Sequence, residues 1–266
     1  MGTLGRITAH RATDAAVQAA FARLRDLERC LSNYQPDSEL NRAVREAALR
    51  PVRLSPDLYA VLTFAQRIAV ETRGLFDVSA GQLMELWRRA RRERKLPSAE
   101  QIEEARACGG YQRVTLLKGT LSVALPGMAF DLGGIGKGYA ASEALRVLKS
   151  QGAGRALVAI AGDIAAGGGA WRVAIQHFGR VVETVTLTNA AVSTSGDTEQ
   201  FVEIGGTWYS HIVDPRTGLG LVGAPAVSVI APAGMEADAL STAVVLAGTG
   251  VLRGHRQARS IVTERP

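Results

Sequence analysis

The chain has little to hold it together except its own core. Only two cysteines, Cys30 and Cys108, occur in 266 residues. They lie far from each other and in no CxxC or other ligand spacing, which excludes a thiolate metal centre and a disulfide-dense scaffold. The pair is compatible with two reduced thiols or with one bridge. Aromatic residues make up 5% of the chain, so a continuous aromatic stacking surface is not expected. The longest uncharged run, 19 residues over 217–235, is interrupted by Gly and Pro and cannot form a membrane-spanning helix. MGTLGRITAH at the amino terminus lacks the apolar stretch of a signal peptide, so as it stands the chain reads as cytoplasmic. An excess of one charge is also missing outside a single segment. RRARRERK at 88–95 carries six basic residues and one acidic, which is +5 of the net +6. With no aromatics interleaved, that segment reads as a solvated helix face, and no nucleic-acid partner is expected.

What is present is ordinary globular material. Apolar residues make up 47% and charged residues 21%, enough for a sizeable core. Apolar spacing predicts a helix over 13–34, and Ser55-Pro56 opens another through about 72. A third runs from about 81 into the basic segment, and Ser98 with Gln101 marks a capping-box start. Beyond 113 the texture turns to strands: a hairpin around Lys118-Gly119, then ALVAIAG, WRVAIQ, VVETVTLT, QFVEIGGTWYSHIV with a Gly205-Gly206 turn, APAVSVIA and ARSIVT. Helices are expected over 140–151 and 238–246. One strand–helix–strand unit among hairpins predicts an α+β fold: a single domain over 1–266 with a mixed, largely antiparallel sheet packed by helices.

DLGGIGKGY at 131–139 is the segment that most resembles a phosphate loop. A nucleoside-triphosphate loop needs GxxxxGK(S/T), but Asp131 stands at its first glycine and Gly138 at its hydroxyl position. A dinucleotide turn is partly matched, since Gly136, Gly138 and Ala141 give GxGxxA and Asp163 ends the next strand. Asp131, however, would face a pyrophosphate with nothing to offset its charge. A plain glycine turn explains the glycines but leaves Lys137 and Asp131 without a task. A nearby cation would make both comprehensible.

Asp238 and Thr242, in ADALSTA, stand four residues apart on a predicted helix and so on one face. A carboxylate and a hydroxyl suit Mg²⁺, although spacing alone favours the same pair as a helix cap and a hydroxyl bonded back to its own turn. His211 ends a strand beside Tyr209, Ser210 and Asp214, whereas His10, His177 and His255 have no such company. TSGD at 194–197 reads as a small polar loop. Neither Ser193 nor Ser195 lies in a nucleophile elbow, which argues against a serine hydrolase.

Taken in order, MGT, SELN, GLFDVSAGQL, DLGGIGKGYA, IAGD, STSGD, YSHIVDPRTG and ADALSTA resemble the ApbE family of FAD:protein FMN transferases. Three positions depart from that family's pattern: Gly136 where Ala is usual, Ser142 where Asp is common, and Ala161 where Gly is frequent. The resemblance implies an α+β domain that binds FAD with Mg²⁺. It also implies transfer of the FMN half to a Thr or Ser hydroxyl of an acceptor flavoprotein of a respiratory or redox complex, with release of AMP. Carried over by motif, Asp238, Thr242 and the Gly134 carbonyl ligate Mg²⁺. Phe76, Asp77, Val78, Ser79, Asp131, Lys137, His211 and Ile212 contact FAD. His211 acts as the base, with Lys137 and Asp131 assisting at the phosphate. Many relatives work in the periplasm or anchored to a membrane. A Mg²⁺-dependent FAD pyrophosphatase and a non-enzymatic flavin binder are the alternatives.

Overall fold

The computed structural model describes residues 4–196 and 201–265. The MGT motif at 1–3, Asp197 of STSGD and Gln200 lie outside the described residues. Four helices start on their own side-chain caps. Thr13 caps α1 (Asp14–Leu31), Ser38 caps α2 (Glu39–Ala47), and Ser55 caps α3 (Pro56–Glu71) with Pro at the start. A full capping box between Ser98 and Gln101 opens α5 (Ala99–Ala107). The other three have no side-chain cap, and each begins on glycine: α4 (Gly81–Glu93), α6 (Gly136–Ser150) and α7 (Gly234–Ala247). Their first N–H groups need partners from elsewhere in the fold.

The main sheet has the order β1-β5-β6-β7-β11-β12, from β1 (Gly5–His10), β5 (Arg155–Ile160), β6 (Asp163–His177), β7 (Arg180–Ser195), β11 (Ala226–Ala231) and β12 (Arg259–Thr263). Every neighbouring pair in it is antiparallel. β2 (Val52–Arg53), β4 (Thr120–Val123) and β3 (Val114–Leu117) form a second sheet, and β10 (Leu219–Val222), β9 (Thr207–Asp214) and β8 (Phe201–Ile204) a third. Among the described residues the one parallel pairing outside the strands is an isolated bridge between Ala80 and Ala129. The strand–helix–strand unit expected around DLGGIGKGY is therefore a loop–helix–strand: no strand runs directly into α6. Four elements that the apolar pattern did not mark, α2, β1, β2 and β10, belong to the architecture. Lys118 and Gly119 both have positive φ (48° and 82°), the requirement of a two-residue hairpin turn.

α6 and α7 cover one face of the main sheet, with α1 packed behind α6. Alternation along β5 turns Ala156, Val158 and Ile160 inward, where they join Ala140, Leu148, Val227, Val229 and Leu240 in the principal core. The opposite face buries Trp171, Val173, Ile175, Val185 and Leu187. α6 and α7 cross at two glycines. A Cβ on Gly138 would lie 2.1 Å from the Gly234 carbonyl oxygen, and one on Gly234 would lie 2.2 Å from that of Gly138. No other residue allows this approach. Across the helices, Arg23 of α1 donates to Asp57 of α3 (2.8 Å) and Glu143 of α6 (2.6 Å), while the Tyr139 hydroxyl donates to Asp57 (2.6 Å). The hydrogen bonds from Arg23 are the main reason the Asp57 carboxyl is held below the usual carboxylate range.

Gly138→Ala is expected to cost about 3 kcal/mol in urea unfolding, because the overpacked contact is backbone and cannot swing aside. Gly250→Ala, with nothing within 4 Å and no positive φ, should stay within about 0.5 kcal/mol of the parent. Equal effects would contradict the close crossing. For Arg23, the depressed folded pKa of Asp57 means a contribution complete above the ordinary carboxylate value of about 4 and lost as pH falls below it. Arg23→Gln should therefore cost about 1–3 kcal/mol at pH 7. The loss should shrink in unfolding curves measured at progressively lower pH.

Candidate active site

The candidate site is built where two glycine-bearing loops run side by side. Loop 76–80 lies along loop 128–131 through the Ala80–Ala129 bridge, Gly81 N–H to the Ala129 carbonyl (2.9 Å) and Asp131 N–H to the Val78 carbonyl (2.8 Å). FDVSAG and DLGGIGKGY, 50 residues apart in the chain, are thereby one unit. The Phe76 ring reaches within 3.5 Å of where a Gly134 Cβ would be, and Thr242 Oγ1 comes within 3.0 Å of the same point. Gly134, Phe76 and Thr242 thus share one locus.

α6 opens beside that locus, and its exposed N–H groups are met by α7. Gly138 N–H donates to Asp238 Oδ2 (2.9 Å), while Gly234 N–H at the start of α7 donates to Ser142 Oγ (2.8 Å). Each helix thus helps satisfy the other's uncapped end. Asp238 is buried, and so is Asp163 at the head of β6. Lys137 Nζ stands 3.2 Å from Asp163 and 3.7 Å from Asp238, and donates to the Gly133 carbonyl (2.6 Å). Burial, then the neighbouring Asp163, push the Asp238 carboxyl up to about 7. Burial opposes the Lys137 charge, but Asp238 and Asp163 outweigh it and hold the ammonium protonated. Two buried carboxylates face one lysine, a cluster short of positive charge.

Hydroxyls close the cluster from the sheet side. Ser193 donates to Asp163 Oδ1, and Ser195 lies 3.0 Å from Thr242 Oγ1 and 2.7 Å from Ser241 Oγ. Thr194 and Ser195 lie in β7 with Ser193, not in the loop expected for 194–197. Among the described residues no three His, Cys, Asp or Glu side chains converge as a metal site. The oxygen-only set of Asp238, Thr242 and the Gly134 backbone nonetheless matches the hard-donor chemistry of Mg²⁺, and a cation would relieve the excess of buried carboxylate.

Asp131 has several partners. Its carboxylate accepts from Gly133 N–H (2.7 Å), Asn33 Nδ2 (2.9 Å) and Arg88 Nη1 (2.6 Å). Arg88 in turn lies over the Tyr34 ring at 5.1 Å. Arg88 belongs to the segment expected to be a solvated helix face, and that expectation fails for it: its side chain is only 18% exposed. Its position on α4 beside Leu86, Trp87 and Ala90 turns it inward, and sequence reasoning missed it. Asp77 Oδ1 accepts from Ser79 N–H and Oγ–H (2.8 and 2.7 Å), and Oδ2 accepts from Tyr111 N–H (2.8 Å). Burial raises its pKa. Ser79 Oγ also accepts from Gly110 N–H, so both side chains knit the loop to 109–111. Phe76 and Val78 are buried in the principal core. On the other side of this loop lies a cavity of about 490 Å³ walled by Arg73, Arg106, Arg113 and Arg216. It touches the candidate residues only at Asp77.

His211 sits half-buried in β9, where the strand departs from regular pairing. Tyr209 pairs with Val222 and Val213 with Gly220, which leaves Ser210, His211 and Ile212 opposite Leu221 alone. The bulge frees the Ile212 N–H, which donates to Ser210 Oγ (3.1 Å). Ile212 joins the core cluster that holds Phe76 and Leu132. Two histidines without company in the sequence are structural ties. His255 lies between Glu236 (2.6 Å) and Glu71 (3.0 Å). His177 lies between Thr263 (2.7 Å) and Ser228 (2.8 Å), and burial lowers its pKa. Both cysteines are free thiols.

An α+β framework of antiparallel sheets, with a glycine loop, one lysine and buried oxygen donors at the crossing of two helices, defines a class. The family model described as "ApbE family" matches residues 1–260, and the chain belongs to that family. It is 32% identical over 237 residues to the FAD:protein FMN transferase of Escherichia coli (strain K12), covering 83% of this chain and 68% of that one. With the Haemophilus influenzae protein of the same name the identity is 34% over 243 residues, covering 85% and 70%. A variant of the flavin transferase ApbE from Vibrio cholerae superposes with a TM-score of 0.89 at 29% identity, covering 100% of this chain and 92% of that one.

Lys137→Met would leave Asp163 and Asp238 buried without their counter-ion. A loss of about 3–5 kcal/mol at neutral pH is expected from urea unfolding in EDTA. Adding Asp163→Asn should recover part of it in a double-mutant cycle. Additive losses would mean that the lysine does not compensate the pair.

Proposed function

We propose that this chain is a Mg²⁺-dependent FAD:protein FMN transferase, acting as a single catalytic domain over 1–266. The juxtaposition of Gly134, Asp238 and Thr242 with Lys137 at the start of α6 carries the reading, in a chain whose relatives bear that name. Asp238, Thr242 and the Gly134 carbonyl would hold Mg²⁺, which supplies charge neutralisation at the pyrophosphate. Loop 76–79 and Ile212 hold the flavin nucleotide, with Phe76 and Val78 as apolar walls and Asp77 and Ser79 keeping the loop in shape. Lys137 places its ammonium where negative charge spreads over the phosphoryl oxygens, and the positive end of the α6 dipole adds to it. Asp131, fixed by Arg88 and Asn33, holds the loop that presents Gly134. His211 takes the proton of the acceptor hydroxyl. That oxygen bonds to the phosphorus bearing riboflavin, the bridging P–O bond breaks, and AMP leaves with the bond's electrons. The acceptor is a Thr or Ser of a flavoprotein of respiratory or redox-complex type.

Incubation with FAD, Mg²⁺ and a flavoprotein acceptor, read by mass spectrometry, tests this. The expected result is an acceptor mass gain of one FMN with one AMP released. Free FMN plus AMP with unlabelled acceptor would assign a pyrophosphatase instead, and bound FAD without AMP a carrier. Asp238→Ala should abolish turnover at limiting Mg²⁺. His211→Asn should leave FAD binding intact and slow transfer by about 10²–10⁴-fold; an unchanged rate would remove His211 as the base.

A further inference from the structure

Four hydroxyls between β7 and α7 can be given proton directions, because two of them already donate to oxygens that carry no hydrogen. Ser241 is fully buried and donates to the Asp238 carbonyl (2.9 Å). A serine hydroxyl has one proton, so in its 2.7 Å contact with Ser195 Oγ Ser241 can only accept. Ser195 must then be the donor there, and its own proton is used. In the 3.0 Å contact between Ser195 Oγ and Thr242 Oγ1, Thr242 must donate. The chain runs one way: Thr242 to Ser195, Ser195 to Ser241, Ser241 to the Asp238 carbonyl. Ser193 Oγ also lies 3.3 Å from Ser241 Oγ, but its proton goes to Asp163 and that of Ser241 to the Asp238 carbonyl. This longer contact therefore carries no proton, and Ser193 stays outside the chain.

The consequence falls on Thr242. A free threonine hydroxyl can turn its proton toward a cation, which repels it, or back onto its own helix. Here the proton is held toward Ser195. The remaining lone pairs are left for the locus that Thr242 shares with Gly134, 3.0 Å from the point a Gly134 Cβ would occupy. The geometry arises from two periodicities. Ser193 and Ser195 are two apart on a strand and share a face, while Ser241 and Thr242 are consecutive on α7 and both reach that face. Thr194, on the opposite face, bonds Ser228 instead (2.6 Å). The chain ends on the backbone carbonyl of Asp238, whereas the Asp238 carboxylate is held separately by Gly138 N–H and Lys137.

We propose that Ser195 is a positioning residue that, with Ser241, locks the Thr242 hydroxyl as an acceptor toward a divalent cation of hard-oxygen preference. This rests on the Mg²⁺ site proposed above. The test is binding of Mn²⁺, as a paramagnetic substitute for Mg²⁺, to the full chain, followed by electron paramagnetic resonance without turnover. Ser195→Ala should raise the Mn²⁺ dissociation constant by about tenfold, the scale of outer-shell losses at metal sites, and Ser195→Thr should restore it to within about twofold. The transfer rate of Ser195→Ala should recover at saturating Mg²⁺, so that the defect lies in the Mg²⁺ requirement and not in the maximal rate. A parent chain that binds Mn²⁺ alongside a Ser195→Ala variant binding it equally well would overturn the relay. So would a weakened Ser195→Ala variant that Ser195→Thr does not rescue, since that is the mark of packing. A parent chain that binds no Mn²⁺ would overturn the metal site itself, and the relay with it.

Discussion

The approach of α6 to α7 at Gly138 and Gly234 is the constraint from which the candidate site follows. With each glycine's missing Cβ replaced by the other's carbonyl at just over 2 Å, the helices come close enough for Asp238 to reach the open N–H of Gly138. The same approach lets Ser142 accept from Gly234 N–H. α6 and α7 thus begin without side-chain caps because each is capped by the other. A side chain at either glycine would push the helices apart by the width of a methyl group or more. Asp238 would then lose the backbone donor that offsets part of its burial, and Lys137 would lose contact with one of its two carboxylates.

That arrangement sets the electrostatics. A lone buried lysine would lose its proton readily, and a lone buried aspartate would gain one; together they hold each other charged. Asp163 shifts the balance. It stands at the head of β6, one residue before the ladder with β7 begins at Ile164 opposite Val192, and there the Ser193 hydroxyl donates to it. The second carboxylate keeps Lys137 protonated but makes ionisation of Asp238 harder, hence a carboxyl near neutral. A cluster that is one positive charge short is poorly arranged for stability alone. It is the arrangement on which the proposed cation site rests.

Legibility in the sequence follows from where the determining forces act. Ser98 with Gln101 and Ser55 with Pro56 act within one turn, so both helix starts could be read from the chain. Lys118-Gly119 and Gly205-Gly206 likewise fixed their hairpins. α4, α6 and α7 start on tertiary partners, and α6 begins at Gly136, earlier than the apolar spacing over 140–151 implied. β1 and β10 are short segments that owe their strand state to a neighbour, Ile160 opposite Gly5 or Asp214 opposite Leu219. At the site, the i, i+4 pair of Asp238 and Thr242 was visible because both lie on one helix. Ser193 and Ser195 show the period of a strand face, but next to a glycine Thr194 and Ser195 read as a loop. Arg88 was hidden by company: among basic neighbours its charge looked solvated, and only Asp131, 43 residues away, shows otherwise.

Asp131 shows how far a local motif can mislead about a charge. Beside four glycines and a lysine it looked like an obstacle to phosphate that needed a metal to excuse it. In the fold its carboxylate is already compensated, by Arg88, by Asn33 and by the N–H of Gly133 two residues on. Its negative charge is used to fold the loop back on itself and to tie it to α4 and to the residues just beyond α1. The carboxylates that lack sufficient positive charge are Asp163 and Asp238, which stand 32 and 107 residues further along. The excess of buried negative charge therefore lies at the helix crossing and not at the first residue of the glycine loop.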